Sequence, residues 1–130
     1  MSWIQTGSTI CFKPYTLEEA LHGLAEAGFE NVEIGAVKGF LQHLDPDDPD
    51  VDGARALLER HGQRCVSISG HAALHTDEGM RRLRTMLAVS AELGAGVLNT
   101  FTGDAETPEE IELLKANARA LADEAQAARI

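Results

Sequence analysis

The feature that most constrains the fold is a helix end followed by a glycine, a short turn and an apolar strand. It occurs three times, as "LAEAGFENVEI", "LLERHGQRCVSI" and "SAELGAGVLNT". The glycines of these segments, Gly28, Gly62 and Gly94, are 34 and 32 residues apart. That spacing fits one strand and one crossover helix. The repeat therefore predicts an α/β protein built from consecutive β/α units with parallel strands.

Four short segments, rich in apolar and β-branched residues, are the predicted strands: Ser8–Phe12, Val32–Gly35, Cys65–Ser69 and Val97–Phe101. This composition is typical of strands that are buried on both faces of a parallel sheet.

Four helices are predicted between and after these strands. Capping boxes begin the first helix at Thr16 and the last at Thr107, where Pro108 takes the first helical position. The second helix is expected from about Val51 to His61, and the third from near Thr76 to Gly94. In the last helix, apolar residues recur at helical spacing at Ile111, Leu114, Ala118, Leu121 and Ala125.

Residues 1–130 are thus expected to form a single domain of four β/α units, half of an eight-stranded TIM barrel. An open, doubly wound sheet is the alternative. The first strand-to-helix turn, "CFKPYT", lacks the G-x-G-x-x-G motif of dinucleotide-binding folds, which favours the half-barrel. Because the pattern calls for a further strand after the fourth helix, we expect the chain to be a truncated barrel.

Composition restricts the partners and the compartment. The net charge is −10, with 21 acidic and 11 basic residues, so nucleic acid is not an expected ligand. No long apolar run and no secretion signal are present, which indicates no membrane association and a cytoplasmic location. Cys11 and Cys65 lie in apolar segments and are expected to be buried, reduced thiols.

Chemistry in α/β barrels takes place at the carboxyl ends of the strands. Lys13, Glu33, His71 and the turn Thr100–Gly103 lie at or near such ends. A carboxylate in an apolar strand is costly to bury alone, so Glu33 either lines a wet cavity or forms an ion pair. His71 follows Gly70, which lets the backbone turn sharply; its imidazole could bind a metal or a hydroxyl, or cap a carbonyl. Lys13, and less so Lys38, could bind an anionic substrate.

Two metal-binding patterns are present but poorly supported. His71 and His75 have the spacing of a helical zinc pair, but their segment begins as a strand and no third ligand is near, so His75 is expected to be incidental. The stretch "DPDVDG" starting at Asp48, with Glu59, matches a calcium loop. Nearby prolines prevent the entering helix, so Asp50 or Asp52 is expected to cap the second helix instead.

Three stretches, "TLEEALHGLAEAGFENVEIG", "VSISGH" and "LAVSAELGAGVLNTFTG", together resemble the sugar phosphate isomerase/epimerase group. This group belongs to the xylose isomerase-like TIM barrels, which also include endonuclease IV. The resemblance covers nearly the whole chain but only the first half of the barrel. Glu33, His71 and the turn Thr100–Gly103 match the family's strand ends. Phe101 stands where the endonuclease branch has a histidine ligand, which favours the sugar-directed branch.

The resemblance implies a divalent metal (Mn, Mg, Co or Zn) held by two glutamates, an aspartate and a histidine from the later strands. No metal ligand is therefore assigned in this chain, and no tightly bound metal is expected in it. The implied reaction is isomerisation or epimerisation of a sugar or sugar phosphate, by proton transfer beside a carbonyl. No catalytic residue is assigned; the expected contacts to the sugar or polyol are Glu33, His71, Lys13, Thr100 and Thr102. This half alone is expected to be inactive.

The alternative hypothesis is a stand-alone binding or assembly module. A half-barrel has two unpaired strand edges, so two copies could pair as a homo-oligomer.

Overall fold

Four parallel strands and one short antiparallel strand form the sheet in the computed structural model, which describes residues 3–130. The strands are β1 (Gly7–Ser8), β2 (Asn31–Val37), β3 (Leu41–Gln42), β4 (Arg64–Ser69) and β5 (Val97–Asn99). The helices are α1 (Leu17–Glu26), α2 (Val51–Arg60), α3 (Asp77–Leu93) and α4 (Pro108–Ala127), with a 3₁₀ helix at Thr9–Phe12.

The strand order β1-β2-β4-β5 follows the chain, and every neighbouring pair in it is parallel. A helix connects each parallel strand to the next, and β3 pairs antiparallel with the end of β2. This arrangement confirms the α/β class and the four β/α units of a half-barrel.

The first predicted strand, Ser8–Phe12, is wrong beyond Ser8. Thr9–Phe12 form a 3₁₀ helix, capped by the Ser8 hydroxyl, which accepts the N–H of Ile10 at 3.4 Å. The buried Thr9 hydroxyl accepts the N–H of Gly35 at 3.0 Å, in place of the carbonyl of a longer β1. Such local bonds from Ser and Thr compete with strand pairing.

One consequence concerns the cysteines. Cys11 is exposed on the 3₁₀ helix, so the prediction of a buried thiol is wrong for this residue. Cys65 is buried as predicted, and burial raises the pKa of its thiol to about 12.

The antiparallel hairpin was not predicted. β2 continues past Gly35 to Val37, turns through Gly39 (φ 74°) and returns as β3. Leu41 on β3 is 3% exposed and packs over Gly35, where any Cβ would overlap its side chain. A glycine in β2 therefore creates the space that buries the hairpin.

The strand β5 is shorter than predicted and is not buried on both faces. It ends at Asn99, and Val97 is 53% exposed, because β4 is its single neighbour in the described sheet.

The predicted helix starts are confirmed. Thr16 and Thr107 form complete capping boxes, and Asp50 caps α2 by accepting the N–H of Gly53 at 2.9 Å. On α4 only Leu121 of the predicted apolar face is fully buried, and Ile111 is 40% exposed.

The core lies between the sheet and the helices in two clusters. The larger packs α1, α2 and α3 against β2 and β4; the smaller joins α3 to α4. No helix in residues 3–130 is both long and apolar enough to cross a bilayer.

Candidate functional site

The two faces of the sheet differ in character. Val32, Ile34 and Ile68 point toward the helices, within the larger core cluster. Side chains alternate along each strand, so the opposite face carries Ser8, Glu33, Gly35, Ser67, Ser69, Val97 and Asn99. We call these seven residues the open face. Leu41 of the hairpin covers Gly35, but five of the seven are polar and are chemically suited to binding.

A register shift between Val32 and Glu33 decides which residues meet on this face. Val32 pairs with Cys65, but Glu33 pairs with Ser67, so Val66 has no opposite residue on β2. Such bulges re-aim side chains and are frequent next to active sites. Here the shift brings a carboxylate and a hydroxyl side by side.

Glu33 lies between two serines. Its Oε1 accepts the Ser8 hydroxyl at 3.2 Å, and its Oε2 accepts the Ser67 hydroxyl at 2.9 Å. Within residues 3–130, no Lys, Arg or His nitrogen lies within 4 Å of this carboxylate. Within the described residues Glu33 thus forms no ion pair, and hydroxyl donors offset its desolvation.

His71 stands just beyond the end of β4. Its Nε2 is 3.3 Å from the Ser69 hydroxyl, and its ring packs edge-on against Phe101 with centroids 5.2 Å apart. Gly70 fits closely between two side chains, since a Cβ there would lie 3.2 Å from both Leu98 Cδ1 and Met86 Cγ. Its φ is not positive, so the backbone at Gly70 is not in the left-handed region that favours glycine.

Two loops at this edge of the sheet are bound together. The Leu74 N–H donates to the Thr102 carbonyl at 3.3 Å, and Asn117 on α4 donates to the Leu74 carbonyl at 2.7 Å. His75 is 10% exposed, and its Nε2 lies 3.9 Å from Asp104 Oδ1. His75 is thus on the loop before α3 as predicted, but it packs against the next loop.

The threonines Thr100 and Thr102 lie in that second loop, after β5. Their hydroxyls donate within the loop, to the carbonyls of Phe101 at 3.3 Å and Gly103 at 3.5 Å. Thr100 is half-buried and Thr102 is exposed.

Lys13 and Lys38 have different surroundings. The Lys13 ammonium lies 3.7 Å above the ring centroid of Phe40, at the tip of the hairpin. Lys38 is bound to Asp45 at 3.0 Å and to Asp47 at 3.1 Å, so its charge is already compensated.

Asp47 ties the hairpin connection to α3. It accepts bonds from Arg82 at 2.8 Å and from Arg81 at 3.0 Å. These arginines, Arg82 foremost, together with Lys38 hold the pKa of Asp47 well below its usual range. The connection between β2 and α2 is therefore anchored electrostatically.

The structure groups part of the predicted site. Glu33 meets Ser8 and Ser67, which the sequence did not single out although serines alternate with apolar residues in "CVSISG". His71 meets Ser69 and Phe101. Lys13 contacts the hairpin instead, and no hydrogen bond or ion pair within residues 3–130 joins it to either group.

The residues present do not form a metal site by themselves. Across residues 3–130, no three His, Cys, Asp or Glu side chains cluster closely enough to hold an ion. Both oxygens of Glu33, the one carboxylate of the open face, already accept hydroxyl bonds. In the calcium-loop pattern, Asp50 caps α2 and Asp52 pairs with Arg55. The divalent metal that the resemblance implies would need ligands other than these.

Family comparison agrees with this architecture. The family described as "Xylose isomerase-like TIM barrel" matches residues 21–130. The chain belongs to this family. No curated protein matches this xylose isomerase-like chain.

Three solved structures share the fold. A xylose isomerase domain containing protein from Salmonella typhimurium LT2 has a TM-score of 0.74 at 18% identity, over 100% of this chain and 49% of its own. The 3-keto-D-glucoside 4-epimerase YcjR from E. coli has a TM-score of 0.69 at 15% identity, over 97% of this chain and 53% of its own. The probable 3-DHS dehydratase AsbF from Bacillus anthracis, involved in petrobactin synthesis, has a TM-score of 0.67 at 13% identity, over 98% of this chain and 50% of its own. This chain spans about half the length of each.

Proposed function

We propose that this chain supplies a substrate-binding wall of a barrel that isomerises or epimerises a small sugar or polyol beside its carbonyl. The observation that carries the proposal is the group formed by Ser8, Glu33 and Ser67 on the open face. A sugar hydroxyl both donates and accepts hydrogen bonds. A carboxylate flanked by two hydroxyls offers hydrogen-bond acceptors and donors to such a hydroxyl at one place.

Relatives support the sugar class. One structural neighbour is a 3-keto-D-glucoside 4-epimerase, and the family takes its description from xylose isomerase. The neighbour described as a probable 3-DHS dehydratase shares the same fold, so a dehydration in the same kind of pocket is the nearest competing reaction.

Each residue has a distinct proposed role. Glu33 accepts a substrate hydroxyl in exchange for one serine, and His71 hydrogen-bonds a second hydroxyl. Lys13, Thr100 and Thr102 contact the substrate from the connections after β1 and β5. These residues orient the sugar; they do not remove the proton beside the carbonyl.

The metal implied by the family, when bound, polarises the carbonyl and the adjacent oxygen. Within residues 3–130, no three His, Cys, Asp or Glu side chains cluster to hold it. We therefore propose that the chain binds a sugar but does not convert it alone.

The test is binding of D-fructose to the 130-residue chain, followed through the amide chemical shifts of Glu33, Ser67 and His71. Loss of a hydrogen bond to a charged group costs about 1.5–3 kcal/mol, so Glu33→Gln should weaken binding about 10-fold or more. His71→Ala should also weaken binding. Glu92→Gln, an exposed carboxylate on α3, is the matched control and should change nothing.

Stability of each variant is measured alongside binding. If His71→Ala or Glu33→Gln lowers the urea midpoint strongly while the affinity for D-fructose stays the same, these residues serve the fold. The sugar-binding proposal would then fail.

A second candidate, an assembly module, is favoured by the ends of the sheet. In the described sheet β1 and β5 each have one neighbour among the parallel strands. Val97 on β5 is exposed, and an apolar cavity of about 330 Å³ lies beside β5 and α4. Light scattering tests it: a defined dimer that Val97→Lys dissociates supports the module, and a monomer at all concentrations refutes it.

A further inference from the structure

Lys13 is a cation without a carboxylate partner within the described residues. It lies in the connection after β1, on the side of the sheet where the strands have their carboxyl ends. Seven other basic residues have a carboxylate within 4 Å: Lys38, Arg55, Arg60, Arg81, Arg82, Arg84 and Lys115. The remaining arginines lie elsewhere in the described residues, Arg64 at the start of β4, Arg119 on α4 and Arg129 after α4. In a chain of net charge −10, an uncompensated cation at this edge is the exception.

The ammonium of Lys13 is held in place by an aromatic ring. Its Nζ lies 3.7 Å from the centroid of Phe40, and the face of an aromatic ring attracts a cation. The ring occupies one side of the ammonium and forms no conventional hydrogen bond with it. The N–H donors of Lys13 on the other sides are therefore available to a ligand.

The two segments that meet here are joined at two further points. Thr9 accepts the N–H of Gly35 at 3.0 Å, and His43 Nε2 lies 2.9 Å from the Tyr15 carbonyl. Both contacts link the connection after β1 to β2 or to the residues after the hairpin. Lys13 is thus carried by a connected pair of loops, which lowers the entropy lost when it binds a ligand.

The hairpin that presents Phe40 is itself anchored. The Gly39 N–H donates to Gln42 Oε1 at 2.8 Å, and Leu41 is buried against Gly35. Lys38 at its base is fixed by Asp45. The ring therefore has a defined position over which Lys13 can rest.

We propose that Lys13, positioned by Phe40, binds an anionic group of the substrate, either a phosphate or a carboxylate. This inference rests on the proposed function and deepens it, because it makes the substrate an anionic sugar. The hairpin then acts as a specificity element, and Phe40 is a positioning residue. A charge-assisted hydrogen bond from the ammonium supplies the recognition.

The probes are D-fructose, D-fructose 6-phosphate, D-gluconate and inorganic phosphate, each titrated while the amide shifts of Lys13, Gly39 and Phe40 are recorded. D-Fructose 6-phosphate or D-gluconate should bind about 10-fold or more tightly than D-fructose. Tighter binding of D-fructose 6-phosphate alone indicates a phosphate site, and tighter binding of D-gluconate alone indicates a carboxylate site. Lys13→Gln should abolish the gain, and Phe40→Leu should reduce it about 2- to 5-fold. Lys115→Gln on α4 is the charge-matched control and should preserve it.

Two results would overturn the inference: no gain for either anionic sugar, or a gain that Lys13→Gln retains. The proposed function survives both if D-fructose still shifts the amides of Glu33 and His71. A third result separates the two proposals: inorganic phosphate shifts the amide of residue 13 in the native chain but not in Lys13→Gln, and D-fructose shifts no amide. That result supports the anion site and refutes the proposed binding of a neutral sugar.

Discussion

Gly35→Ala is the substitution whose effect the structure defines most sharply. A Cβ at Gly35 would overlap Leu41 Cδ2 and Cγ, and Leu41 is 3% exposed on the hairpin strand β3. Overpacking of this kind costs about 1–3 kcal/mol. The intrinsic gain of Ala over Gly inside a strand is about 0.5–1 kcal/mol and offsets part of that cost. If Leu41 instead leaves its site, about 1.5–3 kcal/mol of burial free energy is lost. Gly35→Ala should therefore destabilise the chain by about 1–2 kcal/mol.

Urea unfolding followed by circular dichroism measures this change. Gly96→Ala is the matched control, because a Cβ at Gly96 meets no atom within 4 Å and its φ is not positive. It should lie within about 0.5 kcal/mol of the native chain. In a Leu41→Ala background the overlap is relieved, so Gly35→Ala should then cost close to nothing. Equal effects of Gly35→Ala and Gly96→Ala, or additive costs in the double variant, would refute the packing argument.

Two further predictions concern ionisable groups. In the folded chain iodoacetamide should alkylate Cys11 and spare Cys65, whose thiol has its pKa raised to about 12 by burial; peptide mapping showing equal labelling would contradict this. The bonds from Arg82, Arg81 and Lys38 lower the pKa of Asp47 in the folded chain. These bonds therefore stabilise the fold at pH values above the pKa of Asp47 in the unfolded chain, roughly 3.9. The stabilisation is lost as the pH falls toward the pKa of the folded chain. Asp47→Asn should therefore lower the urea midpoint at pH 7 and flatten the loss of stability on acidification. Asp123→Asn, on the exposed side of α4, should do neither.

What the sequence predicted well rests on local chemistry. The helices begin where Thr16, Asp50, Thr76 and Thr107 can cap them, and a cap involves residues two or three positions apart. The repeated glycine turns gave the β/α order for the same reason. These signals need no knowledge of the rest of the fold.

The errors arose where a distant residue decides the conformation. "STICF" has strand composition, but Thr9 bonds to Gly35, 26 residues away, and the chain turns into a 3₁₀ helix. Burial of β3 depends on the space above Gly35. The sequence pattern of β3 itself does not indicate this contact. Tertiary contacts outweigh local propensity at both places.

The candidate site shows the same division. The position of Glu33 on a strand was predictable from the sequence, but its partners were not, because they depend on the register between β2 and β4. With an uninterrupted register Glu33 would stand opposite Val66, and the carboxylate would lie beside an apolar side chain. The shift by one residue places it opposite Ser67 instead.

The polarity of the open face bears on what such a surface is for. The interior of a closed TIM barrel is normally filled by layers of bulky, branched side chains. The corresponding face here carries serines at Ser8, Ser67 and Ser69, a carboxylate at Glu33 and an amide at Asn99. These short side chains occupy less volume than an apolar layer, and four of the five are already bonded to each other or to His71, which offsets the cost of removing them from water. A ligand rich in hydroxyl groups can exchange hydrogen bonds with these side chains, which agrees with the sugar or polyol substrate that we propose.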